Sequence, residues 1–136
     1  STGAYIASDE SLKKNISDYK NALAQLNSIE VKEYEYTNEG DMSRMNLPKG
    51  KQVGLMAQNI ENVFPQLTKE TVFDLNNHPE DKNNDKEENL VKFKAVNYTG
   101  MIPVIVKAIQ EQQEMIKEQQ AIIKTLEDRI TQLENK

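Results

Sequence analysis

Isoleucine returns every seven residues along the last part of the chain, at Ile102, Ile109, Ile116, Ile123 and Ile130. Three residues after each of them stand Ile105, Gln112, Gln119, Leu126 and Leu133. This is a heptad ladder, the pattern of a helix whose one narrow stripe seeks another helix. Pro103 is tolerated only in the first turn, so the helix is predicted to begin just before it. A lone helix of this length is marginal in water. Leaving the apolar members of the seam exposed would forfeit roughly 1.5–3 kcal/mol each. The seam therefore requires a partner.

Isoleucine at the first seam position with leucine at the second suits a dimer. Two features point to more strands. Met101, Ala108, Met115 and Ile122 precede the first four seam isoleucines and widen the apolar face. Gln112 and Gln119 place two amide layers in the seam, where a ring of glutamines bonds to itself or holds an ion and fixes register at a cost in stability. Arg129 and Glu134 are spaced for a pair between parallel chains. The reading is a parallel homotrimer; the alternatives are a dimer, or a seam that docks on the domain's own core.

Composition bounds the rest. Of 136 residues only 37% are apolar and 29% are charged, so no large core is expected. The net charge is −5 with both signs interleaved, which disfavours nucleic acid and anionic membranes as partners. There is no cysteine and no Gly-rich phosphate loop, and no cofactor or metal is expected. No leader and no apolar run of 18 residues stands out, so the reading is a soluble module.

Residues 1–7 read as an extended tail arriving from upstream. Leu12, Ile16, Tyr19, Leu23 and Leu26 recur at helical spacing and predict a helix over 9–28, with Ser8 as its cap and Asp9 and Glu10 in its first turn. "IEVKEYEY" (29–36) reads as a strand whose parity breaks between Val31 and Tyr34. Residues 37–51 carry loop chemistry in Gly40, Pro48 and Gly50. "QVGLMA" is a short strand, and "QNIENVF" a short helix anchored by Phe64 and stopped by Pro65. "ETVFDL" and "NLVKFK" are hairpin strands around a polar tip, 76–88. The expected fold class is α+β: a small sheet and hairpin, short helices, and a long C-terminal helix in a parallel trimeric coiled coil. The domain division is a tail (1–7), a core (8–100) and a coiled coil (101–136).

Several local patterns carry little. His78 is the only histidine, so a serine–histidine triad is excluded. Asp81, Asn83 and Asp85 are spaced like the start of a calcium loop, but Lys86 stands where glycine is needed and Lys92 where the closing glutamate belongs. Asn15 and Asn97 match glycosylation acceptors by chance-level patterns. Tyr34 and Tyr36 read as core or interface.

Three blocks in order, "SDESLKKNI", "GLMAQNIENVFP" and "AVNYTGMIPVIVKAIQEQ", resemble the intramolecular chaperone domain of phage tail spikes, endosialidases and neck appendages, also called the S74 self-cleaving peptidase domain. The resemblance runs from Ser8 to about Gln113. It implies a trimeric folding aid, fused behind a fibre of the same chain, that brings three upstream segments into register and then cuts itself off. Carried over by residue, Ser8 is the nucleophile, Lys13 the base, and Ala7–Ser8 the broken bond. The trimer interface would comprise Ile102, Ile105, Ile109, Gln112, Ile116, Gln119, Ile123, Leu126, Ile130 and Leu133. The setting implied is a host cytoplasm during phage assembly, with the domain released from or absent in the mature virion. Asn59 departs from the family, which usually has glutamate there.

The chemistry stands beside this. A serine hydroxyl is a poor nucleophile until a base takes its proton, and a lysine amine serves only if burial lowers its pKa far below about 10.4. Trimer assembly would supply that burial. On an ideal α-helix residues five apart point about 140° away from each other. Ser8 and Lys13 therefore meet only if the helix starts after Ser8 and the chain bends, or if Lys13 reaches a neighbour. A capping serine without catalysis, in a trimerisation domain that stays attached, is the rival. A cell-surface module, or the self-cleaving segment of a membrane-tethered regulator, is a third reading.

Overall fold

The computed structural model describes residues 3–75 and 89–136. The hairpin tip, with His78, Asp81, Asn83 and Asp85, lies outside them. The regular elements run α1 (Ala22–Asn27), β1 (Val31–Tyr34), β2 (Gln52–Leu55), α2 (Ala57–Val63), β3 (Thr68–Asp74), β4 (Leu90–Val96) and α3 (Ile102–Glu134). This is the α+β layout expected. The described strands form two antiparallel pairs, β1–β2 and β3–β4, the small sheet and the hairpin that the sequence led us to expect.

The core is small and lies where three helices meet. Ala22 of α1, Ile60 of α2, Phe64 just after α2, and Val104 and Ala108 of α3 are buried together. Leu23, Leu26, Ile29, Leu55, Val63, Leu67 and Val96 pack around them. Phe64 ends α2 because Pro65 follows, and its N–H closes on the carbonyl of Ile60. Leu75 is buried at the far end of β3, where Arg44 Nη2 donates to its carbonyl at 3.0 Å.

The long helix 9–28 does not form. Glu10–Leu12 make one 3₁₀ turn, residues 13–21 form no helix or strand, and only Ala22–Asn27 are α-helical. Asn15 (φ 55°) and Asn21 (φ 63°) sit in the left-handed region, which asparagine tolerates better than most residues and which interrupts a helix. Leu12 and Ile16 remain exposed, so no packing offsets the cost of helix nucleation. The cap is Asp9 and not Ser8: Asp9 Oδ1 accepts from Ser11 N at 2.8 Å. The strand predicted over 29–36 shortens to Val31–Tyr34. Its parity breaks because Ile29 belongs to the turn leaving α1, where it packs on the core. The loop 37–51 contains a 3₁₀ turn at Gly40–Met45.

α3 wears two different faces. Met101, Val104 and Ala108 are buried against the chain's own domain, so Met101 and Ala108 do not broaden the seam as expected. On the heptad wheel they fall on one flank beside it. Glu111 continues that flank: its Oε1 accepts from Ala22 N at 3.1 Å and its Oε2 from Leu23 N at 2.9 Å. One carboxylate on α3 thus caps the open start of α1, where Asn21 makes no side-chain cap. Beyond Glu111 every residue of α3 is exposed. The apolar seam residues from Ile102 to Leu133 are 41–65% exposed. Pairs Lys117–Glu114 (3.3 Å) and Lys124–Asp128 (3.1 Å) lie on the face away from the seam, where such pairs add only tenths of a kcal/mol.

Gly54 is required by close approach. A Cβ there would stand 2.8 Å from Tyr98 Oη and 3.0 Å from Tyr34 Oη. Tyr98 Oη is held because it accepts from Leu55 N at 2.9 Å. We expect Gly54→Ala to displace Tyr98, break that bond and cost about 1–3 kcal/mol, read as a lower urea midpoint; an unchanged midpoint would show that the ring has room to move. The hydrogen bond from Leu23 N–H foremost, with those from Ala22 N–H and Asn21 N–H and the charge of Lys107, holds the Glu111 carboxyl below its usual range against partial desolvation. A lowered folded value means the cap is fully present above the unfolded value of about 4.3 and is lost as pH falls through the folded one. The urea midpoint of the wild type should therefore fall more steeply between pH 6 and 3 than that of Glu111→Gln. Parallel curves would remove the carboxylate's role.

Candidate functional site

By the sequence reading, Ser8 and Lys13 meet only if the helix starts after Ser8 and the chain bends, or if Lys13 reaches a neighbour. The shorter turn brings them together: Lys13 Nζ donates to Ser8 Oγ at 2.8 Å. Ser8 lies before the 3₁₀ turn, Asp9 caps it, and Lys13 leaves it with an extended backbone (φ −113°, ψ 150°). Leu12 N bonds to Asp9 O at 3.1 Å and Lys13 N to Glu10 O at 3.0 Å, so the turn closes on itself. The two flanking residues thus leave from opposite ends of one tight turn, within reach of a lysine side chain. The cap and the pair coexist because a different residue does the capping.

Asp9 makes the turn rigid. Its Oδ1 accepts from Ser11 Oγ at 2.6 Å as well as from Ser11 N. The Ser11 hydroxyl first, and its N–H second, hold the Asp9 carboxyl below its usual value. Ser11 is therefore committed to Asp9, and Ser8 is the hydroxyl that meets the lysine. A separation of 2.8 Å lies within the range for direct proton transfer between a nucleophile and its base. Lys13 Nζ is the donor in this contact, and an amine in the same place with a free lone pair would accept the serine proton. Both residues are exposed in the single chain.

Ala7 precedes Ser8 in a run without regular structure, and Tyr5 and Ile6 before it are exposed. On the other side the chain runs to α1 with two asparagine bends, and Tyr19 Oη bonds to Gln25 Oε1 on the way. Asn59, the departure from the family pattern, does not touch the pair. It stands on α2, where Oδ1 accepts from Glu30 N at 2.9 Å and Nδ2 donates to Ser28 O at 3.5 Å, holding the link between α1 and β1.

An open apolar groove of about 600 Å³ lies elsewhere, between the two strand pairs, with Tyr34, Met42, Met45, Leu55, Phe93 and Tyr98 among its lining. Tyr34 and Tyr36 pack edge to face there, with ring centroids 5.2 Å apart. The hydrogen bond to Tyr36 first, then desolvation and the nearby Tyr36 and Tyr98, push the Tyr34 hydroxyl up to about 12. Neither Ser8 nor Lys13 lines this groove. Among the described residues no three His, Cys, Asp or Glu side chains gather as a metal site. No helix among them is long and apolar enough to cross a membrane.

The seam residues named from the sequence, Ile102, Ile105, Ile109, Gln112, Ile116, Gln119, Ile123, Leu126, Ile130 and Leu133, all lie on α3 and are exposed. Sequence reasoning missed Glu111 as a contact to α1, because nothing local marks a bond across 88 residues. It also missed the Asp9–Ser11 turn; an aspartate two residues before a serine is the local signal that would have found it.

A search of curated proteins finds no match to this chain. A family model does match: Peptidase_S74, chaperone of endosialidase, over residues 8–69. The match starts on Ser8 itself and takes in the first two sequence blocks and both residues of the pair; the third block lies beyond it. The segment that opens with a serine and a lysine in hydrogen-bond contact is thus the segment, residues 8–69, that is similar to the Peptidase_S74 family, the chaperone of endosialidase.

Proposed function

We propose that this chaperone-type domain trimerises through α3, aligns three copies of a fibre segment lying upstream in the same chain, and then releases itself by cutting Ala7–Ser8. The observation that carries the cutting is the Ser8–Lys13 contact at 2.8 Å, located where the family match begins. The observation that carries assembly is the open seam. Residues 112–134 of α3 are all exposed, and a helix so placed gains most of its stability from packing.

The chemistry balances with the groups present. Lys13, as a neutral amine, takes the Ser8 hydroxyl proton while Ser8 Oγ bonds to the Ala7 carbonyl carbon. The Ala7–Ser8 C–N bond breaks, and the proton passes from Lys13 to the departing Ser8 nitrogen. Ala7 is then held as an ester on Ser8 Oγ. Water hydrolyses the ester, leaving a carboxylate on Ala7 and a free amine on Ser8. The substrate is the chain's own backbone, and each copy turns over once. The pair is exposed in one chain, so assembly is the event that would dry the amine and let it lose its proton. Cutting would then follow trimerisation. Loss of the domain would leave the fibre without its route back through unfolding, a kinetic form of stability.

The test is to express the domain behind a longer upstream segment and to read fragment masses on a denaturing gel. We expect two fragments, the smaller beginning at Ser8, and one uncut band for Ser8→Ala and for Lys13→Ala. A wild type that stays whole while still trimeric would make this an attached trimerisation domain. Ile109→Asp with Ile116→Asp should lower the sedimentation mass to that of one chain and slow cutting at least tenfold. Cutting at the wild-type rate by a monomer would break the link between assembly and chemistry.

A further inference from the structure

We infer that Glu111 is a positioning residue for the Ser8–Lys13 pair: it ties the segment carrying the pair to the flank of α3 beside the seam, so that pairing of the α3 helices sets where the pair lies. This rests on the self-cleavage reading. The tie is a two-oxygen contact, Oε1 to Ala22 N at 3.1 Å and Oε2 to Leu23 N at 2.9 Å, joining residues 88 and 89 apart. Bonds from an ionised acceptor are the stronger kind, and two in parallel fix orientation as well as distance.

Glu111 stands at a particular point of α3. It is the last residue of the helix that is half-buried rather than exposed, and Gln112, the first polar layer of the seam, is its neighbour. Below it, α3 belongs to the domain through Val104 and Ala108; above it, α3 is free to join other helices. Its contact with α1 is thus the outermost link between the part of α3 that would assemble and the part of the chain that would cut.

The path from α1 back to Lys13 is short and bent in a defined way. Asn21 turns left-handed just before the capped start of α1, Tyr19 is pinned to Gln25, and Asn15 turns left-handed two residues after Lys13. Ile16 and Tyr19 on this path are exposed, so few apolar contacts of its own hold the segment in place. The carboxylate at its downstream end therefore governs its direction. On the heptad wheel Glu111 shares with Val104 and Ala108 the flank beside the seam, which α1 occupies, so a helix seated on the seam would lie next to α1. The segment is in this way directed toward the place where a second copy would cover it.

The experiment uses the full chain with its upstream segment, and compares Glu111→Ala, Glu111→Gln and Val104→Ala for cutting rate, sedimentation mass and melting temperature. Val104→Ala weakens the same helix contact without touching the tie. We expect Glu111→Ala to stay trimeric and cut at least tenfold more slowly, and Glu111→Gln, which keeps one acceptor oxygen, to recover a large part of the rate. Val104→Ala should cut near the wild-type rate even where its melting temperature falls as far. If Glu111→Ala cuts as fast as the wild type, or if Val104→Ala slows cutting equally at equal melting temperature, the inference is overturned while self-cleavage stands. A wild type that never cuts overturns the reading beneath it.

Discussion

Everything in this chain is arranged around the packing of α1 and α2 against the first two turns of α3. Ala22, Ile60, Phe64, Val104 and Ala108 are five of the seven buried apolar residues among the described ones. A core this small cannot absorb much disturbance, since each large side chain removed from such a site costs about 2–5 kcal/mol. It nonetheless does two jobs. It holds the two strand pairs by Leu55, Leu67 and Val96 at its edge, and it clamps the base of α3 so that the rest of the helix projects.

The projecting helix is where stability and function become the same question. One flank of α3 is used up by the domain as far as Glu111, and the adjoining stripe of isoleucines is left to water. A monomer of this form keeps its helix start and has no use for its helix end. The two stripes are side by side, so a partner helix seated on the seam would also approach α1 and the segment before it. That nearness is the physical route by which association could be felt at Ser8, and the Glu111 carboxylate is the polar element on that route.

The turn at Asp9 shows how little structure is needed to bring two side chains together. One aspartate satisfying Ser11 twice is enough to set a 3₁₀ turn and to send Ser8 and Lys13 out from its two ends toward each other. A regular helix would have separated them. The left-handed bends at Asn15 and Asn21 keep that helix from forming and hold the whole segment in an irregular shape. The asparagine at position 59, where the resembled family usually has glutamate, is a clamp between α1 and β1.

Several features were legible before any coordinates. Periodicity of seven announced α3 and its seam, Pro103 marked its start, and Pro65 marked the end of α2; these are local properties of spacing and backbone geometry, which a linear reading captures. The hairpin strands β3 and β4 were visible for the same reason, as runs of residues suited to a pleat. Other features depended on contacts between distant parts. Whether Leu12, Ile16 and Tyr19 would form a helical face turned on there being something to bury them, and within one chain there is not. Which flank of α3 meets the domain, and that Glu111 would reach across to Ala22 and Leu23, follow from how three short helices fill one shared space. Spacing along a chain names the residues that want burial; only the packed arrangement chooses which of them receive it.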